Sequence, residues 1–164
     1  MKSTRAPFLP LLAALLAAAL LGACASGGPP RRVSEPSARV QQLSVRADGS
    51  WSVDLRLLNF SSVPMRFSRV ELTLAFDGQP AATLQAHADL AIAPESADVA
   101  TIEVAAPPPG ARLALADALA GGRRIGYRLA GTIEAAPEGG KARRYPIERD
   151  DALSPVPGLP GVLR

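Results

Sequence analysis

Cys24, Asn59 and His87 each occur once in this 164-residue chain and have side chains suited to chemistry. His87 could act as a base or a metal ligand, but His87-x-Asp89 offers two ligands where metal sites converge three or four. With no positioned partner it reads as a surface residue, on the wetter face of a strand between Ala86 and Ala88. Glu148, Asp150 and Asp151 could collect a cation. They lack the Asp-x-Asp-x-Asp-Gly spacing of a calcium loop, so solvated charge is the better reading. Gly121-Gly122 and Gly139-Gly140 lack the spacing of a phosphate loop and suit a helix stop and a hairpin, and no G-x-S-x-G elbow occurs. Arg123-Arg124 and Arg143-Arg144 flank one predicted hairpin. If its strands pair they could form a basic patch for anionic lipid, although charge that keeps a sheet edge from aggregating is the plainer reading. One Trp, two Tyr and four Phe make no aromatic platform for bases or sugars. We expect no catalytic residues, no cofactor, no metal and no nucleic-acid partner.

Cys24 has the most specific surroundings. Lys2 and Arg5 precede an apolar run from Phe8 to Leu21, and Leu-Gly-Ala then leads into the cysteine. Leu21-Gly22-Ala23-Cys24 resembles the lipobox of bacterial lipoproteins, with Gly a less usual residue just before Ala23. The alternatives are a plain secretory signal with an incidental Cys, or an uncleaved anchor, for which the run is barely long enough and contains Pro10. The resemblance implies cleavage before Cys24, a diacylglyceryl thioether on its sulfur and an acylated amine. Such chains hold a protein stably on a membrane. The next residue is Ala25 rather than the Asp associated with inner-membrane retention, so the expected location is the bacterial cell envelope, on the outer membrane facing the periplasm. No thiol would then remain for disulfides or catalysis. Loss of Lys2 and Arg5 lowers the formal charge from +3 to +1, which weakens any argument from the basic isoelectric point.

Asn59 sits in N-F-S, an acceptor pattern for glycans that carries little weight in a bacterial periplasm. It also stands where a run of alternating apolar residues breaks off. Such alternation dominates the exported part. Residues 40–46 read as a first strand, Asp48-Gly49 as a tight turn, and Trp51, Val53, Leu55 and Leu57 as the buried face of a second strand. Met65 to Phe76 continues the pattern with a parity slip between Phe67 and Val70, which predicts a bulge or a change of sheet at Ser68-Arg69. Further strands are centred on residues 84–92, 100–104, 125–133 and 145–147, with a short helix over 111–120 closed by Gly121-Gly122. The pattern predicts an all-β protein: an immunoglobulin- or fibronectin-III-like antiparallel sandwich of about seven strands with one short helix. The domain organisation is a signal peptide at 1–23, a flexible tether at 24–37 carrying the lipidated Cys24, the sandwich at 38–150, and a Pro/Gly-rich tail at 151–164. Asn59 is then the corner between two strands, since Asn tolerates left-handed backbone and caps turns through its side chain.

The segments VDLRLLN, FSSVP, MRFSRVELTLAF, DGQP, AATLQAHADLAI, APES and ADVATIEV resemble, in order, the late embryogenesis abundant type 2 family, also described as the water-stress and hypersensitive-response (WHy) domain. YRLAGTIEA, through Gly131, fits its closing strand. The family usually has Pro after the Asn, where this chain has Phe60. The resemblance implies an immunoglobulin-like sandwich associated with stress or desiccation protection and no catalytic residues. The expected protein is a non-enzymatic, lipid-anchored binding or protective module, attached to the membrane through Cys24. The alternatives are a carrier of lipid or another apolar ligand, which predicts an apolar cavity between the sheets or beneath the helix, and an accessory subunit with a protein partner in the envelope. Cys24→Ser should leave an unprocessed precursor without acyl chains, detectable by intact mass; normal acylation of that variant would remove the basis for the location.

Overall fold

The computed structural model describes residues 31–164, so Cys24 and the expected signal peptide lie outside the described residues. Residues 32–164 form one compact unit. Its eight strands are β1 (Ser37–Val45), β2 (Trp51–Asn59), β3 (Met65–Phe76), β4 (Gln79–Ile92), β5 (Ser96–Val104), β6 (Ile125–Pro137), β7 (Arg143–Leu153) and β8 (Val162–Leu163). One helix among the described residues, α1 (Pro109–Ala120), connects β5 to β6. The strands make two antiparallel four-stranded sheets, ordered β5-β2-β1-β8 and β4-β3-β6-β7.

Alternation along each strand decides which face is buried. Trp51, Val53, Leu55 and Leu57 all point inward from β2, and Met65, Phe67, Val70, Leu72, Leu74 and Phe76 meet them from β3. Trp51 and Phe76 pack across the sheets with ring centroids 5.8 Å apart. The helix adds Ala111, Leu115 and Ala118, one stripe at helical spacing, to the end of this core. Pro109 starts it at a position where the missing N–H is no loss.

The parity slip in β3 is a bulge, and it is shared with the neighbouring strand β4. Phe67 and Arg69 face the consecutive residues Ala135 and Glu134 on β6, but Leu90 and His87 on β4, with two residues between. Each strand from β6 through β3 to β4 therefore carries one more residue than the last, and Asp89, at φ +40°, takes up part of the excess. A second bulge, in β1 between Val40 and Gln42, is covered by the Tyr127 hydroxyl, which reaches from the other sheet to accept the Val40 N–H at 3.2 Å. Burial pushes that phenol's pKa up.

Residues 151–164 are not a tail. β7 continues to Leu153, the Pro/Gly-rich turn folds back, and β8 pairs with β1 through Leu43 and Ser44, burying Leu163 completely. Frequent Pro and Gly rule out a long or central strand, but two residues on an outer edge need few backbone donors. Ser154 and Arg164 exchange both hydrogen bonds, and Gly161, at φ +76°, accepts from Val45 at 2.8 Å. This eighth strand is the one that seven-strand counting misses.

Gly131 of β6 has φ +143°, and a Cβ there would stand 2.3 Å from the Glu71 carbonyl oxygen of β3. Gly131→Ala should therefore destabilise the domain by about 2–4 kcal/mol through strain and overpacking, measured by urea unfolding. A wild-type midpoint would show that the strands separate there at little cost.

Candidate functional site

The most elaborate arrangement of polar groups surrounds Asn59, at the end of the sandwich where β2 stops and β1 begins. Positions 51, 53, 55 and 57 of β2 all face the core, and position 59 continues their parity, so the Asn side chain is driven inward and is 1% exposed. A buried amide must find partners. Its Nδ2 donates to the carbonyls of Val63, Ile92 and Ala93 at 2.9, 3.1 and 2.9 Å, so two N–H groups serve three acceptors. Its Oδ1 accepts the Ser61 N–H at 2.9 Å, closing an Asx turn. One side chain thus binds the β2–β3 loop to the β4–β5 connection. Its backbone is not left-handed; the corner is made by the amide alone.

Ser61, fully buried, extends this network. Its Oγ accepts the Ser34 N–H at 2.9 Å and donates to the Ser34 carbonyl at 3.2 Å, and its carbonyl accepts the Glu95 N–H. Arg32 donates its N–H to Ser62 Oγ at 2.8 Å, and its guanidinium bridges the Phe60 carbonyl and Glu95 at 3.1 and 3.0 Å. Residues 32–34 are therefore laid along the loop 60–62, so the described end of the expected tether is fixed to the sandwich. The long-range partners of Asn59, and the roles of Ser61, Ser34 and Arg32, have no local signature in the sequence. Only the parity of position 59 signalled an inward side chain in need of hydrogen bonds.

The other candidates are dispersed. His87 is exposed on β4 opposite Arg69, while Asp89 is engaged by Arg66 at 2.7 Å, so the two do not act together. Strand alternation splits the acidic cluster. Glu148 and Asp150 stand on either side of Arg128, and Asp151 points the other way toward Arg149 at 3.0 Å. The Ala152 N–H and Arg149 hold the Asp151 carboxyl below the usual carboxylate range. Among the described residues no three acidic, His or Cys side chains converge as metal ligands would. The β6 and β7 strands do pair, but no patch of four arginines results. Arg143 lies opposite Ala135 at one end of β6, whereas Arg123 and Arg124 precede Ile125 at the other end. Arg123 is turned to Asp117 at 2.5 Å.

Two apolar clefts open at the surface of the opposite pole. One, of about 610 Å³, lies between the edge strands β4 and β5 and is lined by Leu74, Ala81, Ala82, Val104, Ala106 and Pro108. Glu103, held by Arg46 at 2.6 Å and by the Ser52 hydroxyl, stands on its rim. The other separates the end of α1 from the turn at 155–161.

The described residues form a two-sheet antiparallel β-sandwich whose polar network at this pole binds its own backbone. The chain belongs to the late embryogenesis abundant type 2 family: the family model for late embryogenesis abundant protein matches residues 54–151, more than half of its length. No curated protein matches it. Among solved structures it is similar to a protein from Arabidopsis thaliana, at 15% identity over 79% of this chain and 84% of that one, with a TM-score of 0.45. It is likewise similar to a protein from Archaeoglobus fulgidus, at 15% identity over 76% and 98% with a TM-score of 0.42. At those scores the likenesses carry no functional argument.

Asn59→Asp tests the network. A carboxylate among three carbonyl oxygens has no donor to offer, so the folded state should favour the protonated form and raise the pKa of the new group above its unfolded value. The folded state then binds more protons than the unfolded one, and stability falls as pH rises. The variant should approach the wild type near pH 4 and lose about 1.4 kcal/mol per pH unit above it until the folded-state pKa is passed. Urea midpoints across pH 4–7 that run parallel for the two proteins would exclude this role.

Proposed function

We propose that this protein is a non-enzymatic, lipid-anchored module of the bacterial envelope, of the WHy kind, that protects or binds envelope components during stress such as desiccation. The observation that carries the reading is the family match, which spans the sandwich from β2 to β7. The family is in general not enzymatic. Two four-stranded antiparallel sheets support an immunoglobulin- or fibronectin-III-like sandwich as the finer description of the fold. The lipobox at Leu21–Cys24 supports anchoring, and Ala25 after it supports the outer membrane, facing the periplasm. A rigid sandwich that satisfies its own polar groups presents a defined surface, unlike desiccation proteins whose composition prevents a core.

The cleft between β4 and β5 favours a second reading, a carrier of lipid or another apolar ligand. It is a surface groove of about 610 Å³ beside the connection into the helix, and the space between the sheets is filled.

Crosslinking and mass spectrometry on intact membranes separates these readings, run beside survival after drying. Deleting the protein should lower survival, the wild-type chain should restore it, and Cys24→Ser should not. Crosslinks confined to lipid at Val104 and Ala106, with unchanged survival, would favour the carrier. Unchanged survival with no crosslinks would count against both.

A further inference from the structure

Phe60 is 48% exposed and Val33 is 46% exposed, and both stand on the pole held together by Asn59. Their exposure is enforced. Asn59 and Ser61, on either side of Phe60, are both buried and hydrogen-bonded, so the residue between them is turned outward. Arg32 and Ser34, on either side of Val33, are bonded to Ser62 and Ser61 in the same way. Neither side chain can withdraw into the core without breaking that network.

We propose that this pole rests on the bilayer, with Phe60 and Val33 seated in the headgroup region. The inference rests on the anchoring reading, and chain length supplies the occupant. Eight Cα steps separate Cys24 from Arg32, so the pole stands at most about 29 Å from the acylated sulfur whatever path those residues take. The opposite pole, with α1 and the exposed Leu113, is about 36 Å farther along the twelve residues of β3. Of the large apolar side chains exposed among the described residues, the two nearest in chain to the anchor are thus also on the pole that the tether keeps within about 29 Å of it. Apolar and aromatic side chains so placed bury into the boundary between headgroups and acyl chains. Such contact would hold the sandwich upright, keeping both clefts of the opposite pole directed away from the membrane.

Tryptophan fluorescence tests this. The chain from Cys24 onward is coupled through that thiol, the only one in the sequence, to a maleimide-bearing lipid in phosphatidylcholine vesicles with or without brominated acyl chains. Trp51 is 1% exposed in the core and gives a constant background. Brominated lipid should lower the emission of Phe60→Trp and Val33→Trp by about twofold and leave that of Leu113→Trp unchanged. Equal quenching at positions 60 and 113 would mean that the molecule lies on its side and would overturn the proposal. So would no quenching at 60 and 33, or a blue shift there that grows with protein density but ignores bromine, which would mark self-association. The coupling is chemical, so the outcome does not depend on native acylation. The mass of the Cys24 peptide from the producing cells decides that separately.

Discussion

A single primary amide, at the inward-facing last position of β2, has to satisfy its hydrogen bonds without water. It does so with four backbone groups from two connections that are far apart in sequence, and the rest of the pole is arranged around that requirement. The β2–β3 loop must curl back so that Val63 and Ser61 reach the amide, and the β4–β5 connection must bring Ile92 and Ala93 to its other side. Connections that meet at one point set where β3 and β5 begin, and hence how the two sheets face each other. The cost of leaving buried carbonyls unpaired makes the arrangement close to all-or-none.

The same network fixes what the pole presents. Burying Asn59 and Ser61 leaves Phe60 outside, and binding Arg32 and Ser34 leaves Val33 outside. The surface pair is thus a consequence of interior hydrogen bonding. The surface ion pair between Arg32 and Glu95 is solvent-exposed and adds little energy, about 0–1 kcal/mol. Its use is to hold the chain in place as it leaves the domain.

The other end of the molecule is built differently. There the core is closed by α1, by the hairpin at Asp48-Gly49 and by the return of the C-terminal segment onto β1. Asp48 organises its turn by accepting both the N–H and the hydroxyl of Ser50, which holds its carboxyl below the usual range. This pole has the two apolar clefts described above, and its long-range side-chain hydrogen bonds, from Arg46 and Ser52 to Glu103 and from Arg164 to Gln42, are solvent-exposed rather than buried.

Alternation by itself determined most of the fold. Period-two burial places β2, β3 and the face of β4, and a missing beat between Phe67 and Val70 locates the bulge, because each side chain's face is a local property of the pleat. Helix formers bounded by prolines and a double glycine locate α1 for the same local reason. Seven strands were legible, while the eighth was not: Val162–Leu163 is held by an edge partner more than a hundred residues away, and no local pattern encodes that. The separation of His87 from a partner carboxylate, the parting of Glu148 and Asp150 from Asp151, and the distance between the two arginine pairs follow from register, which only the assembled sheet sets. Asn59 shows the boundary most clearly. The sequence determined that it stands at the corner between two strands. Tertiary structure decided which carbonyls it binds, because those come from segments some thirty residues away that meet it only when the two sheets close.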